Sequence, residues 1–297
     1  MRIVIGASTF AIKDDSSLNL MLRKGIEVVK NPHGRKLTEA EIIEHLKDAD
    51  GLLAGLEPLN ERVLNNAQQL KAISRIGIGM ENIDLEATQK RNIKVSNTPD
   101  SVTEAVAEMT LAALLTIARQ IIPANENLHK GIWEKTLGFS LGGITVAVIG
   151  YGRIGMRVAE LLKAFKVNVI VYDVNKPEIS ATTLEDAIKH ADVISLHASG
   201  NKEILTSEMF NSIKKEVVIL NSARGGLVNE DGLYDCLNAG IVSYYWGDVF
   251  PDEPYNGKLI ECKNAILTPH ISTYSAQCRK AMEMEAVGNI MRDLSIV

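Results

Sequence analysis

The chain is poor in the features that would set it apart from ordinary globular proteins. It has three cysteines in 297 residues, Cys236, Cys262 and Cys278. Their number is odd and their spacing is not that of a metal knuckle. That argues against a disulfide framework or a zinc site, and for reduced thiols in a cytoplasmic protein. A long hydrophobic run is also missing. The most apolar stretch, LAALLTIA (residues 111–118), follows Glu104 and Glu108 and falls far short of the roughly 20 residues a membrane span needs. The N-terminal MRIVIGASTFAIKDD reaches charge too soon for a signal peptide and reads as a first strand. There is no excess of positive charge: 32 Lys and Arg stand against 37 Asp and Glu, a net charge of −5. This balance gives no electrostatic reason to expect nucleic acid or an anionic membrane as a partner. No internal repeat, low-complexity segment or Pro-rich linker interrupts the sequence.

What is present is alternation. A chain of this length suggests about two domains. RIVIGAS, IEVVKN, GLLAG, KAISRIGIG and NIKVSN read as strands, with helical segments between them. One of these, LTEAEIIEHLKDA, opens with Thr38 three residues before Glu41, the spacing of a capping box. A strongly apolar helix follows, with Ser101 and Glu104 spaced as a second box, and then a further helix. From Gly143 a second series begins: TVAVIG, NVIVYD, VISLH, VVILNS, a segment around IVSYYWGDV, and NAILTPH are strands. The last 24 residues read as a helix. Strands alternating with helices imply parallel sheets covered on both faces, hence two doubly wound α/β domains.

The second series opens on VAVIGYGRIGMRVAELLKAF (residues 146–165). Three glycines in six positions, between a β-branched strand and an amphipathic helix, form a dinucleotide fingerprint. Gly150 permits the tight turn, Gly152 the approach of a pyrophosphate, and Gly155 the packing of helix on strand. The helix N-terminus offers free N–H groups to phosphates. A second strand ends in Asp173, 18 residues after Gly155. A carboxylate there can accept from ribose hydroxyls and repel a 2′-phosphate, favouring NAD, while nearby Lys176 leaves NADP open.

Three later stretches lie at expected strand ends: NSARGG (residues 221–226), DVFPDEP (248–254) and TPHIST (268–273). Ligands of open α/β sheets bind outside the carboxyl ends of strands, so Arg224, Glu253 and His270 can converge. Arginine offers a planar fork to a carboxylate. Histidine exchanges a proton near neutral pH. A carboxylate beside a histidine orients the ring and favours its protonated form. Hydride transfer to or from a 2-hydroxy acid can use all three.

At these residues the chain resembles the D-isomer-specific 2-hydroxyacid dehydrogenases, nearest in pattern to the 3-phosphoglycerate dehydrogenase branch. GYGRIG, Asp173, NSARGGLVNEDGL, DVFPDEP and TPH occur in the family's order, and the resemblance covers nearly the whole chain. It implies a Rossmann-type NAD-binding domain over residues 98–273. It also implies a flavodoxin-like substrate domain, discontinuous over residues 1–97 and 274–297, with the active site in the cleft between them. By the resemblance, Arg224 binds the substrate carboxylate and carbonyl, His270 exchanges the proton, and Glu253 pairs with His270. Arg153 and Ile154 meet the pyrophosphate through backbone, and Thr103 touches a cofactor phosphate. Ala198, Ser222 and Asp248 line adenine and nicotinamide, with Asp248 on the carboxamide. Arg75 and the backbone of Gly77, Ile78 and Gly79 face the substrate. No metal is implied. A homodimer through the nucleotide domain is.

Some positions depart from the family pattern. Glu81 stands in place of the usual Asp, Ser272 in place of a small residue after PHI, and Glu216 in place of a turn glycine. HASGNKEILT is short and lacks proline, which leaves Ala198 the least secure assignment. Only 27 residues follow His270, so no appended regulatory domain is expected. Residues 51–60 hold no Lys or Arg, which weakens phosphoglycerate as substrate, since a phosphate needs cationic partners. Phosphoglycerate and phosphohydroxypyruvate remain one candidate pair. Two other readings stay open on the same fold: an NAD(H)-sensing binding scaffold of the corepressor type, and an unusual oxidation such as that of phosphite.

Overall fold

The structure, a computed structural model, describes residues 1–180 and 183–296. Ala181, Thr182 and Val297, which the expected domain spans include, lie outside the described residues. The chain divides into two compact units, one of Met1–Val102 with Tyr274–Val297, the other of Thr103–Thr273.

The first unit carries, in chain order, β1 (Arg2–Ile5), α1 (Ser16–Arg23), β2 (Glu27–Val29), α2 (Glu39–His45), β3 (Gly51–Ala54), α3 (Glu61–Asn66), β4 (Ala72–Arg75), α4 (Leu85–Lys90) and β5 (Lys94–Ser96). It closes with α10 (Ala276–Asp293), the last helix of the chain. All pairings are parallel, in the order β2-β1-β3-β4-β5. Burial follows from that order. Every residue of β3 and β4 is buried, whereas the edge strands β2 and β5 are partly exposed. Central parallel strands are covered on both faces and so read as continuous apolar runs. On one face Leu52, Ile73 and Val4 pack with Ile42, Leu64 and Ala87; α10 packs against β3, β4 and β5. Helix α2 begins with the capping box read from the sequence. The Thr38 hydroxyl accepts from Glu41 N–H, and the Glu41 carboxylate accepts from Thr38 N–H. A cap of this kind contributes about 1 kcal/mol.

The second unit carries α5 (Thr103–Ala118), α6 (Ile121–His129), β6 (Thr145–Ile149), α7 (Arg153–Ala164), β7 (Asn168–Tyr172), α8 (Leu184–Lys189), β8 (Val193–Leu196), β9 (Val217–Asn221), α9 (Glu230–Asn238), β10 (Val242–Gly247) and β11 (Ala265–Leu267). Its parallel sheet runs β11-β10-β9-β8-β6-β7. Helices α5 and α7 cover one face, where Leu114, Ile117, Val158 and Leu162 pack on Val146, Val148 and Trp246. The other face holds Ile188 and Leu233 against Ile149, Ile194 and Ile219. The second expected capping box is absent. Helix α5 starts at Thr103; the Ser101 hydroxyl donates to the Glu285 carboxylate, and Glu104 takes Arg157 at 2.8 Å. At Gln120 the backbone enters the left-handed region (φ 53°), which ends α5 and turns α6 away by 60°.

Among the described residues, no single helix is long and apolar enough to cross a membrane. The three cysteines are free and buried. Burial raises all three thiols, Cys278 to about 11. One segment contrasts with these packed faces. From α6 onward, Ile121, Leu128, Ile132, Trp133 and Leu137 are exposed, Trp133 at 84% and Leu137 at 97%.

Candidate active site

The second sheet reverses its strand order between β6 and β8, because β7 lies outside β6. The glycine loop sits at that reversal. Gly150 adopts φ +92° and donates its N–H to Tyr172 O; a Cβ on it would stand 2.4 Å from Ala198 N. A Cβ on Gly155 would stand 2.0 Å from Gly150 O, so α7 can start against the strand only with glycine here. Gly152 caps α7 with open space where its Cβ would be. The result is a cradle with unobstructed backbone at a helix N-terminus, which fits a pyrophosphate. Arg153 and Ile154 are the first two residues of α7.

Asp173 lies just past β7. Its Oδ2 accepts from Tyr151 N–H at 2.6 Å and its Oδ1 from Asn175 N–H at 2.8 Å. The Lys176 ammonium donates to Tyr151 O at 2.9 Å and lies 5.5 Å from the Tyr151 ring centroid. Both backbone polar groups of Tyr151, between the first two glycines, are thus held by side chains from the end of β7. Ala198 follows β8 and closes on Gly150. Ser222 follows β9, its hydroxyl 3.3 Å from that of Thr110 on α5. Thr103 is the first residue of α5.

Arg224, Glu253 and His270 follow β9, β10 and β11, three adjacent strands. Asn221, fully buried, shapes the first loop by accepting from Ala223 N–H and donating to Arg224 O. A Cβ on Gly225 would lie 2.0 Å from Phe250 C, so the loop after Arg224 presses on the Phe250–Pro251 backbone. Glu253 Oε1 accepts from Phe250 N–H at 3.1 Å, and its Oε2 lies 2.9 Å from His270 Nδ1. The ring is therefore fixed through Nδ1, which leaves Nε2 for another partner, with the side chain 44% exposed.

His270 itself has φ +54°, an uncommon backbone for a residue with a Cβ. The structure shows what holds it. Asp248, wholly buried, accepts the Thr268 hydroxyl (2.6 Å) and Ile271 N–H (2.9 Å) on one oxygen, and Ser272 N–H (2.8 Å) on the other. Trp246 Nε1 donates to Thr268 Oγ1 at 3.1 Å. The resemblance places Asp248 on a carboxamide; the parts of Thr268 and Trp246 in this network carry no local sequence signal. No spacing rule joins groups 20 or more residues apart; only adjacency of β10 and β11 does.

The remaining expected residues lie in the first unit. Arg75 ends β4, 9% exposed, and its guanidinium donates to Ile76 O. Gly77 has φ +143°, donates to Thr98 Oγ1 at 2.9 Å and accepts from Thr98 N–H. Ile78 is exposed, and its carbonyl accepts from Asn97 Nδ2. Gly79 follows it. No cluster of His, Cys, Asp and Glu among the described residues could hold a metal ion.

Comparison with known proteins supplies the family context. Residues 111–272 match the family model described as D-isomer specific 2-hydroxyacid dehydrogenase, NAD binding domain. A D-3-phosphoglycerate dehydrogenase of Methanocaldococcus jannaschii is 37% identical over 82% of this chain, which spans half of that relative's length. A hydroxypyruvate reductase of Thermotoga maritima is 33% identical over 95% of this chain and 96% of its own. Among solved structures, a D-lactate dehydrogenase of Aquifex aeolicus, complexed with NAD and lactic acid, superposes with a TM-score of 0.85. It is 27% identical and covers 100% of this chain and 97% of that one.

Proposed function

The chain belongs to the D-isomer-specific 2-hydroxyacid dehydrogenase family, and from that premise we propose that it interconverts a short 2-keto acid and the D-2-hydroxy acid with NAD(H). The observation that carries the reading is the Glu253–His270 pair, 2.9 Å apart, beside the Arg224 loop on three adjacent strand ends. Gly150, Gly152, Arg153, Ile154, Gly155, Asp173, Ala198, Ser222 and Thr103 would hold NAD(H), which when bound would supply or remove the hydride at C2. Arg224 binds the substrate carboxylate and polarises the keto oxygen with its planar donors. His270 gives a proton from Nε2 to that oxygen in reduction and takes it back in oxidation. Glu253 keeps the ring in register through Nδ1 and stabilises its cationic form. Asp248, by tying down Thr268, Ile271 and Ser272, holds the backbone from which His270 projects.

The exposed apolar run of Ile121, Leu128, Trp133 and Leu137 fits a homodimer interface on the second unit, and the buried reduced thiols fit a cytoplasmic enzyme. Steady-state assays following loss of NADH absorbance with a panel of 2-keto acids test the reading. The expected result is turnover that yields the D-hydroxy acid. NADH binding without turnover on any keto acid overturns it and favours an NADH-responsive scaffold instead. Sedimentation of the wild type against Trp133→Asp tests the dimer.

A further inference from the structure

The backbone of His270 is held by Asp248, but its partner Glu253 has no such anchor of its own. It stands in a run of four exposed residues, 251–254, that leaves the sheet after β10. A carboxylate on such a run orients a ring reliably only if something fixes the run, since small displacements are costly to a catalytic geometry. The two residues that flank it do so. Phe250 and Tyr255 stack ring on ring, with centroids 4.1 Å apart and an interplanar angle of 23°. Both are partly buried, so residues 251–254 form a small exposed loop closed at its base by an aromatic pair.

Each half of the pair is tied to something firmer. The Phe250 backbone lies against Gly225 of the Arg224 loop, and its N–H donates to Glu253 Oε1 at 3.1 Å. The Tyr255 hydroxyl accepts from Leu259 N–H at 3.2 Å, and Leu259 is buried in the core of the second unit. Glu230, the first residue of α9, faces the same hydroxyl. Burial first, and then that carboxylate, push the phenol up to about 12, so it stays protonated. A Cβ on Gly257 would run into the Tyr255 ring, so the chain after Tyr255 returns close over it.

We propose that Tyr255 is a positioning residue for the proton transfer: stacked on Phe250, it holds the loop of residues 251–254 so that Glu253 stays on His270 Nδ1. This rests on the dehydrogenase reading above. With the stack removed, the loop loses its closed base and the carboxylate spends part of its time in water. The protonated ring then loses its counter-charge. The other charged groups on the three loops do not replace it. Arg224 is a cation and opposes a second positive charge. Asp248 is taken up by Thr268, Ile271 and Ser272, and Asp252 lies exposed on the loosened loop itself.

The test follows kcat/KM against pH for NADH-driven reduction of the 2-keto acid that turns over fastest in the panel. It compares the wild type, Tyr255→Leu, Tyr255→Phe, Glu253→Gln and the double variant Tyr255→Leu with Glu253→Gln. Reduction uses the protonated ring, so the alkaline limb should move to lower pH by about half a pH unit in Tyr255→Leu. That is a loss of roughly threefold in kcat/KM above the midpoint, with NADH affinity unchanged. Tyr255→Phe keeps the stack and should stay near the wild-type limb. Glu253→Gln moves the limb by itself, and adding Tyr255→Leu should move it no further. An unmoved limb in Tyr255→Leu beside a moved one in Glu253→Gln makes Tyr255 a packing residue and overturns the proposal. A further displacement in the double variant also overturns it, because Tyr255 then acts by another route. Should Tyr255→Leu not fold, Phe250→Leu removes the other ring and must give the same displacement. A limb unmoved in Glu253→Gln, or no turnover on any keto acid while NADH still binds, overturns the reading beneath and the proposal with it.

Discussion

Both sheets reverse their strand order once, and the chain treats the two crevices in opposite ways. At the β6/β8 reversal it removes side chains. Gly150 and Gly155 close backbone on backbone, while Gly152 leaves open space in front of the α7 N-terminus. At the β1/β3 reversal it also places glycines, but their room is taken by the Glu57 carboxylate. One crevice leaves backbone N–H groups open, and the other is filled by a buried acid of the chain itself. The same topology thus yields one open crevice and one filled crevice, and a handful of side chains makes the difference.

The comparison can be broken most forcefully within the second unit, where the residues proposed to handle the proton and those proposed to meet the cofactor phosphates occupy different loops. His270→Asn keeps a residue type that tolerates the left-handed backbone and removes the proton donor. We expect kcat to fall by about 10²–10⁴-fold with NADH affinity, read by fluorescence titration, unchanged. Near-normal turnover in this variant removes His270 from the mechanism.

Next in size is the contrast between the crevices themselves. Gly150→Val brings a side chain against Ala198 and forces φ +92° on a β-branched residue, so NADH affinity should weaken by more than about tenfold, or 1.4 kcal/mol. Gly6→Ala presses on Glu57 instead and should lower the melting temperature with little effect on NADH. Equal losses of NADH affinity in the two variants would erase the distinction.

Smaller again is Glu253→Gln, which retains the contact to His270 without the charge. An expected fall of about tenfold in kcat/KM is accompanied by displacement of the pH–rate profile, the feature that separates ring stabilisation from packing. An unmoved profile rejects the charge role.

The smallest effect concerns stability. Burial holds His197, whose Nε2 meets the Ser195 hydroxyl at 2.8 Å, down to about 4 against an ordinary 6.5. As pH falls below 6.5 the unfolded chain takes up a proton that the native ring refuses until about 4. The neutral ring's contribution to stability is therefore fully present above 6.5 and lost progressively as pH falls across that interval. Calorimetry of the wild type and His197→Gln should show a shallower acid decline in the variant; identical slopes exclude this source.

Much of the fold could be read before any coordinate was known, for local reasons. Residues 145–149 and 193–196 are mostly apolar because central parallel strands are covered on both faces, and the capping box at Thr38 needs only a three-residue spacing. The same spacing misled at Ser101 and Glu104. Their groups are drawn off by Glu285 and Arg157, partners distant in sequence. The glycine loop was legible as a motif. The role of Asp248 as anchor of the His270 backbone was not, since it depends on two neighbouring strands placing residues 248 and 268–272 side by side. Glu57 was hidden for a related reason. Its sequence surroundings look like a turn, and only the closeness of Gly6 reveals that the acid turns inward.

The burial of all three thiols gives the protein a built-in clock for unfolding. Cys278 belongs to the first unit, and Cys236 and Cys262 to the second. An alkylating reagent reacts with thiolate, so each thiol stays silent until its surroundings open. Pulse alkylation read by mass spectrometry would then report which half of the chain loosens first, with no label introduced. A cysteine placed at an exposed position such as residue 137 would be the fast-reacting thiol in the native protein, open to a dye while the other three remain closed.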